Sequence, residues 1–437
     1  MTASKHDIMT INRRALLQGV AGFAAGTALL GEPAVAADGG KKVIIGAFAD
    51  GGLTPFKEKI IPLAKQAGFN IEFLEDEYGV TLEKWFADAQ NGGGQYDVYL
   101  LDDPWVPQFG AADVLEDLAA GGIDGGNKDW VNALIDMGYW PPRQGPRVKG
   151  FEKATPKLIC VPFIGDLQTM TYRTDVYKTP PKTWEELISV GQQGVKDGKI
   201  KYPVVFRGVA GNSIMNSWFP LFRSWGGVFF DERWQPTFNS KEGKESAEFF
   251  VGTMKKNAPE GIVEYDSDQE GAAILSGDVG AIVQYSGNAV KANDPAQSKV
   301  PDKLAFSVIP KKKDAIAQLG IFIAGVPKKA PNKANAVAFL KWYTSPEVQM
   351  KVAESGSIPV TRSGFAAPKP GNNLIAVALQ QLDVGAEPRP RMPDWAKVEE
   401  IIGIELNKAL QKGSGGGEAL DTAAASVKSF LQQAGYY

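Results

Sequence analysis

Lys42-Val43-Ile44-Ile45-Gly46-Ala47-Phe48 is an apolar run that breaks into Ala49-Asp50-Gly51-Gly52, the pattern of a buried strand entering a turn. Helix-spaced apolar residues follow from Phe56 to Ala67. Ile71-Glu72-Phe73-Leu74 predicts a second strand, ending in Glu75-Asp76-Glu77-Tyr78. Residues 82–90 predict a helix. Tyr96-Asp97-Val98-Tyr99-Leu100-Leu101 then predicts a third strand, ending in Asp102-Asp103-Pro104-Trp105. This alternation predicts an α/β fold with mostly parallel sheets flanked by helices. In open α/β sheets, ligands bind beyond the carboxyl ends of the strands. Three successive strand ends rich in acids and aromatics therefore predict one polar, aromatic-lined cleft.

Outward from this unit, a second begins near Asp166. Met170-Thr171-Tyr172 continues a strand, and Pro180-Pro181-Lys182-Thr183-Trp184-Glu185-Glu186-Leu187 opens a helix. Thr183 is its expected N-cap, with Glu186 closing a capping box. Val204-Val205-Phe206 reads as a strand and Asn216-Ser217-Trp218 as a helix start. Residues 246–256 read as a helix. Further strands are expected at 281–285, 304–310 and 322–326, a helix over 332–344, and a helical tail from Trp395 with one glycine-rich break. No fixed-period repeat is present.

The first 37 residues read as a twin-arginine secretion leader. Arg13-Arg14 precedes the short apolar run Val20 to Leu30, and Ala34-Val35-Ala36 offers a small-x-small cleavage pattern. That run is too short for a membrane span, which needs about 20 apolar residues. The leader holds His6, the only histidine. The chain carries 47 Lys+Arg against 50 Asp+Glu, a net charge of −3. Such a mildly acidic protein has no field to attract nucleic acid or anionic lipid. The expectation is a monomer, free in the periplasm and without stable membrane insertion. The length implies two lobes.

Without histidine in the mature chain there is no Ser-His-Asp triad, no His-bearing zinc site and no imidazole base. No cofactor and no metal are expected. The single cysteine, Cys160, lies in an apolar strand pattern and is expected to be packed. Paired carboxylates remain available for glycoside hydrolysis.

Four stretches resemble the maltose-binding family of bacterial extracellular solute-binding proteins, the receptor subunits of ABC sugar importers. They are Asp97 to Leu101 with Phe109 to Leu118, Val161 to Asp166 running on to the Pro180–Leu187 stretch, Gly277 to Ile282, and Ala338 to Tyr343 with Ser345-Pro346-Glu347 and Ile358-Pro359-Val360. The resemblance implies a two-lobe periplasmic binding protein fold of type II with crossover hinge segments. Residues 41–162 and 320–363 would form lobe 1, and 166–312 and 366–437 lobe 2. First-lobe contacts would be Phe48, Asp50, Glu75, Tyr78, Asp102, Asp103 and Trp105. The crossover acid would be Asp166. Second-lobe contacts would be Asn216, Trp218, Tyr285 and Asn288, with Trp395 as a C-terminal aromatic. Arg223, Arg391 and Phe322 are possible additions. Some stacking aromatics of the maltodextrin receptors are unmatched here, which argues against maltose itself.

These residue types suit a sugar or polyol. Carboxylates and amides bond neighbouring hydroxyls, and Trp and Tyr supply flat area against C–H faces. The implied function is capture of a mono- or oligosaccharide, or a polyol, by hinge closure, and delivery to permease subunits of an ABC importer. Two alternatives stand beside it. A polyamine or other cation could be boxed by the same acids and aromatics, and a secreted glycoside hydrolase could use two cleft carboxylates.

Overall fold

The computed structural model describes residues 40–91, 94–367 and 373–437. The leader assigned to 1–37, with His6, lies outside the described residues.

The first sheet contains β1 (Lys41–Phe48), β2 (Phe69–Asp76), β3 (Val98–Asp102), β4 (Cys160–Ile164) and, from late in the chain, β9 (Phe322–Gly325), in the order β2-β1-β3-β9-β4. The second contains β5 (Gln168–Arg173), β6 (Tyr202–Val205), β7 (Val279–Tyr285) and β8 (Leu304–Ser307), in the order β8-β5-β7-β6. The expectation of mostly parallel sheets is corrected: both are mixed. β2-β1-β3 and β6-β7 are parallel, while β9 opposes both β3 and β4, and β5 opposes both β7 and β8. The cause is the crossover. β4 leaves the first sheet at Ile164, and only Gly165-Asp166-Leu167 separates it from β5 in the second. β9 returns at that same edge, pairing its first residue, Phe322, with the last residues of β3 and β4, Asp102 and Ile164. A strand that enters where its neighbours finish must run against them.

Local chemistry explains the elements. In β1, alternate residues Val43, Ile45 and Ala47 are fully buried. Gly46 sits between them because an added Cβ would lie 2.8 Å from the Tyr96 ring. The expected helix over 56–67 is a π-helical turn, Phe56–Ile60, running into α1 (Ile61–Gln66). α2 (Tyr78–Asn91) starts four residues earlier than the apolar spacing indicated, so Tyr78 stands at a helix N-terminus. α3 (Trp184–Lys196) is capped by Thr183, whose side chain accepts from the Glu186 N–H at 3.1 Å. Glu186 returns its carboxylate to the N–H of Lys182 at 2.8 Å rather than to Thr183.

α4 spans Asn212–Trp225, and α5 (Ser267–Ser276) packs on β6 and β7 of the second sheet. α6 (Lys333–Tyr343) packs on β1, and α7 (Leu374–Val384) on β5 and β8. The tail forms α8 (Trp395–Lys412) and α9 (Gly416–Gln433), which pack on each other. The break between them carries Gly413 and Gly415 at φ +80° and +81°, a left-handed backbone that glycine adopts at little cost. Trp184, Trp225 and Trp234 are buried. Trp342 is only half-buried, tilted against Phe69 and Phe339. Cys160 is buried and unpaired, and burial pushes its thiol pKa up. Among the described residues no helix is long and apolar enough to cross a membrane.

Candidate functional site

A cavity of about 1050 Å³ opens where the chain crosses between the two sheets. From the first sheet it is lined by Phe48, Ala49 and Asp50 at the end of β1, Tyr78 at the start of α2, Asp102 at the end of β3 and Phe322 at the start of β9. From the second it is lined by Asp166, Arg207, Asn212, Asn216, Tyr285 and residues of α5. Seven residues singled out from the sequence therefore share this cavity: Phe48, Asp50, Tyr78, Asp102, Asp166, Asn216 and Tyr285. The added candidate Phe322 joins them, its ring stacked 4.7 Å from that of Phe48.

Five of the expected contacts do not line the cavity. Trp218 is fully buried, because α4 begins at Asn212 and puts it nearly two turns into the helix. There its indole N–H donates to Ser246 Oγ at 3.1 Å and its ring packs on Phe222. Trp395 packs edge-on against Phe229 in the same core. Trp105 is wedged between Phe48 and Tyr78, so it supports two lining aromatics from the rear. Asp103 is fully buried against Arg389. Glu75 turns outward to the Lys57 ammonium at 2.9 Å. The side chain of Asn288 lies outside the described residues. Arg223 and Arg391 serve structure: Arg223 pairs with Glu387 at 2.7 Å, and Arg391 donates to the carbonyls of Asp103 and Met137 at 2.9 and 2.6 Å.

Arg389 is the residue the sequence reading missed. It is 2% exposed and lines the cavity, with Nη2 2.6 Å from Asp102 Oδ1 and Nη1 3.2 Å from Asp102 Oδ2, and Nη2 also reaches Asp103. Tyr78 Oη donates to Asp102 Oδ2 at 2.7 Å. Two adjacent acids at the end of an apolar strand require a buried cation, and that requirement was the available signal. The other missed pair is Arg207 and Glu270, joined at 2.6 Å, with the Arg207 guanidinium over the Tyr285 ring.

Asp166, on the crossover itself, directs Oδ1 at three donors: Leu167 N at 2.9 Å, Ser286 Oγ at 2.5 Å and Gly287 N at 3.0 Å. Burial pushes its carboxyl up to about 7 against those donors, and Asp50 adds to the rise. Burial also raises Asp50, whose Oδ1 accepts from Gly52 N at 2.7 Å while Arg207 and Lys291 oppose the shift. Asp103 is raised by burial despite Arg389. Gly165, before Asp166, is explained by packing: an added Cβ would lie 2.5 Å from the Pro359 carbonyl oxygen. Opposite Asp166, Gly52 and Gly287 bring backbone from the two halves together, an added Cβ on Gly287 lying 3.2 Å from Gly52 Cα. Among the described residues no cluster of three His, Cys, Asp or Glu side chains could hold a metal ion.

Two mixed sheets joined by a chain crossover beside a polar cleft define a two-lobe α/β fold. The model of the bacterial extracellular solute-binding protein family matches residues 50–350, and the chain belongs to that family. A probable amino-acid ABC transporter periplasmic-binding protein of Sinorhizobium fredii is 26% identical over 387 residues, covering 84% of each chain. The mannitol-binding protein of Pseudomonas aeruginosa is 25% identical over 388 residues, 82% of this chain and 86% of its own. Among solved structures, a maltose-bound T. maritima protein superposes with a TM-score of 0.75 at 21% identity, covering 89% of this chain and 99% of that one. A ribitol complex from Agrobacterium radiobacter gives 0.75 at 21%, covering 89% and 98%.

Proposed function

We propose that the chain is the periplasmic receptor of an ABC importer for a sugar or polyol, which it captures between its lobes by hinge closure and hands to a membrane permease. Asp50, Tyr78, Asp102, Asp166, Asn216 and Tyr285 provide the hydroxyl partners, and Phe48 and Phe322 the apolar area. Lobe 1 would comprise 41–162 and 320–363, and lobe 2 166–312 and 366–437. Residues 1–37 would direct export, after which the protein acts as a monomer without catalysis.

One observation carries the choice of solute. Three buried acids at the site are matched by cations, Asp102 and Asp103 by Arg389 and Glu270 by Arg207, while Asp50 and Asp166 accept from N–H and O–H donors of the chain itself. A site for a polyamine would leave such carboxylates free for the ligand's own charge. Here the ion-paired acids serve as oriented hydrogen-bond groups, and Asp50 and Asp166 are already engaged by backbone and hydroxyl donors, which suits an uncharged, polyhydroxylated solute. The mannitol-binding relative makes D-mannitol the first probe. The test is native mass spectrometry of protein purified from its own periplasm. A co-purified hexitol, pentitol or sugar mass supports the reading, and a co-purified polyamine overturns it.

A further inference from the structure

We infer that Glu399 is a positioning residue that sets the direction of the hydrogen bonds around the cavity, so that both wall tyrosines accept and the solute must donate. The inference deepens the proposed function and rests on it. Glu399 is 4% exposed on α8 and stands behind the wall. Its Oε2 receives Asn212 Nδ2 at 2.9 Å. That oxygen has only lone pairs to offer, even with a proton on Oε1.

The remaining directions then follow in order. Asn212, with its amide nitrogen committed to Glu399, turns its oxygen toward Asn216, whose Nδ2 lies 2.9 Å away. Asn216 in turn presents Oδ1 to Tyr285, whose hydroxyl donates to it at 3.1 Å. The Tyr285 proton is consumed inside the wall, and only lone pairs of Oη remain for a ligand. Across the cavity the same outcome arises independently, because Asp102, clamped by Arg389, takes the Tyr78 proton at 2.7 Å. Tyr285 on one side of the cavity and Tyr78 on the other therefore both meet a solute as acceptors. Solutes with free hydroxyl hydrogens fit this pair. Analogues in which a facing hydroxyl is replaced by an acceptor without a hydrogen do not.

The experiment titrates D-mannitol and its monodeoxyfluoro analogues by calorimetry into the wild type, Glu399→Gln and Tyr285→Phe. Fluorine keeps an acceptor and removes the donor. In the wild type, at least one fluorinated position is expected to weaken binding about tenfold. In Glu399→Gln the new amide can donate to Asn212 Oδ1, the two asparagines can reverse, and the Tyr285 proton can face the solute. The penalty at that position then shrinks to within about threefold. Tyr285→Phe removes the acceptor and abolishes the same penalty, which keeps the test decisive if Glu399→Gln fails to fold. A role for Glu399 confined to folding would move all affinities together and leave the ratio of fluorinated to parent solute unchanged. An unchanged ratio in Glu399→Gln, or in Tyr285→Phe if Glu399→Gln does not fold, overturns the inference while leaving the receptor reading intact, as does wild-type binding indifferent to fluorine everywhere. Failure of D-mannitol and of every sugar to bind removes that reading and the inference with it.

Discussion

Arg389 holds both oxygens of Asp102, with Nη2 2.6 Å from Oδ1 and Nη1 3.2 Å from Oδ2, in a site where the arginine is 2% exposed. A planar guanidinium can span a carboxylate in this way and a lysine ammonium cannot. Arg389→Met strands the Asp102 and Asp103 carboxyls in the interior and should lower stability by about 3–5 kcal/mol. Arg389→Lys should recover only part of it. Urea denaturation measures both, and a loss below about 1 kcal/mol for Arg389→Met would show that the clamp does not hold these acids.

Trp218 and Trp395 test where the cavity wall ends. Trp218→Ala opens a hole in the α4 core and should lower stability by about 3–5 kcal/mol. Because Trp218 does not line the cavity, the folded fraction should bind D-mannitol within about threefold of the wild type. A large affinity loss at unchanged stability would place this indole against the solute instead.

The crossover acid sets a pH dependence. Asp166 is raised to about 7 in the folded chain, from 3.8 as its ordinary value. Between those values the folded state holds the proton more tightly than the unfolded state. The Asp166 contribution to stability is therefore greatest near pH 4 and declines as pH rises toward 7. A single group gives at most about 1.4 kcal/mol per pH unit. Asp166→Asn removes this slope, so the wild type should lose stability relative to Asp166→Asn as pH rises from 4.5 to 7. Melting temperatures of both proteins across that range check it, and parallel curves contradict it.

The glycine pair at the meeting of the two halves gives an asymmetric expectation. A Cβ added at Gly287 would lie 2.7 Å from Asp166 Oδ2 and 3.2 Å from Gly52 Cα, whereas one at Gly52 would meet Gly287 Cα at 3.6 Å, an ordinary contact, with Asp50 Oδ1 at 3.0 Å. Gly287→Ala should therefore weaken solute binding by about 1–3 kcal/mol, and Gly52→Ala by less. Calorimetry on the two variants measures the order, and equal effects would show that this contact does not govern the bound form.

Strand ends were the most legible part of the sequence. Apolar runs broken by Asp50, Tyr78 and Asp102 gave both the β1-β2-β3 unit and three lining residues, because strand period and turn chemistry are local properties. Strand direction was not legible. β9 opposes β3 because the chain has crossed to the second sheet and back between them, so that Phe322 pairs with Asp102 across 220 residues, and nothing in the Phe322 segment records it. Helix starts are least legible where the cap is weak: α4 begins at Asn212 after Gly211, with no side-chain cap, so Trp218 lies a turn deeper in the helix than the Asn216 start implies and faces the core. Arg389 escaped because its partners, Asp102 and Asp103, lie 287 and 286 residues away. Ion pairs of that separation leave no pattern in one sequence.

The most direct measurement is calorimetry of the exported chain against D-mannitol, ribitol, D-glucose, maltose and spermidine at neutral pH. Saturable one-to-one binding of at least one of the four hydroxylated solutes is expected, lost on Asp102→Ala, with no heat from spermidine. Tight binding of spermidine with none of the hydroxylated solutes bound would contradict it.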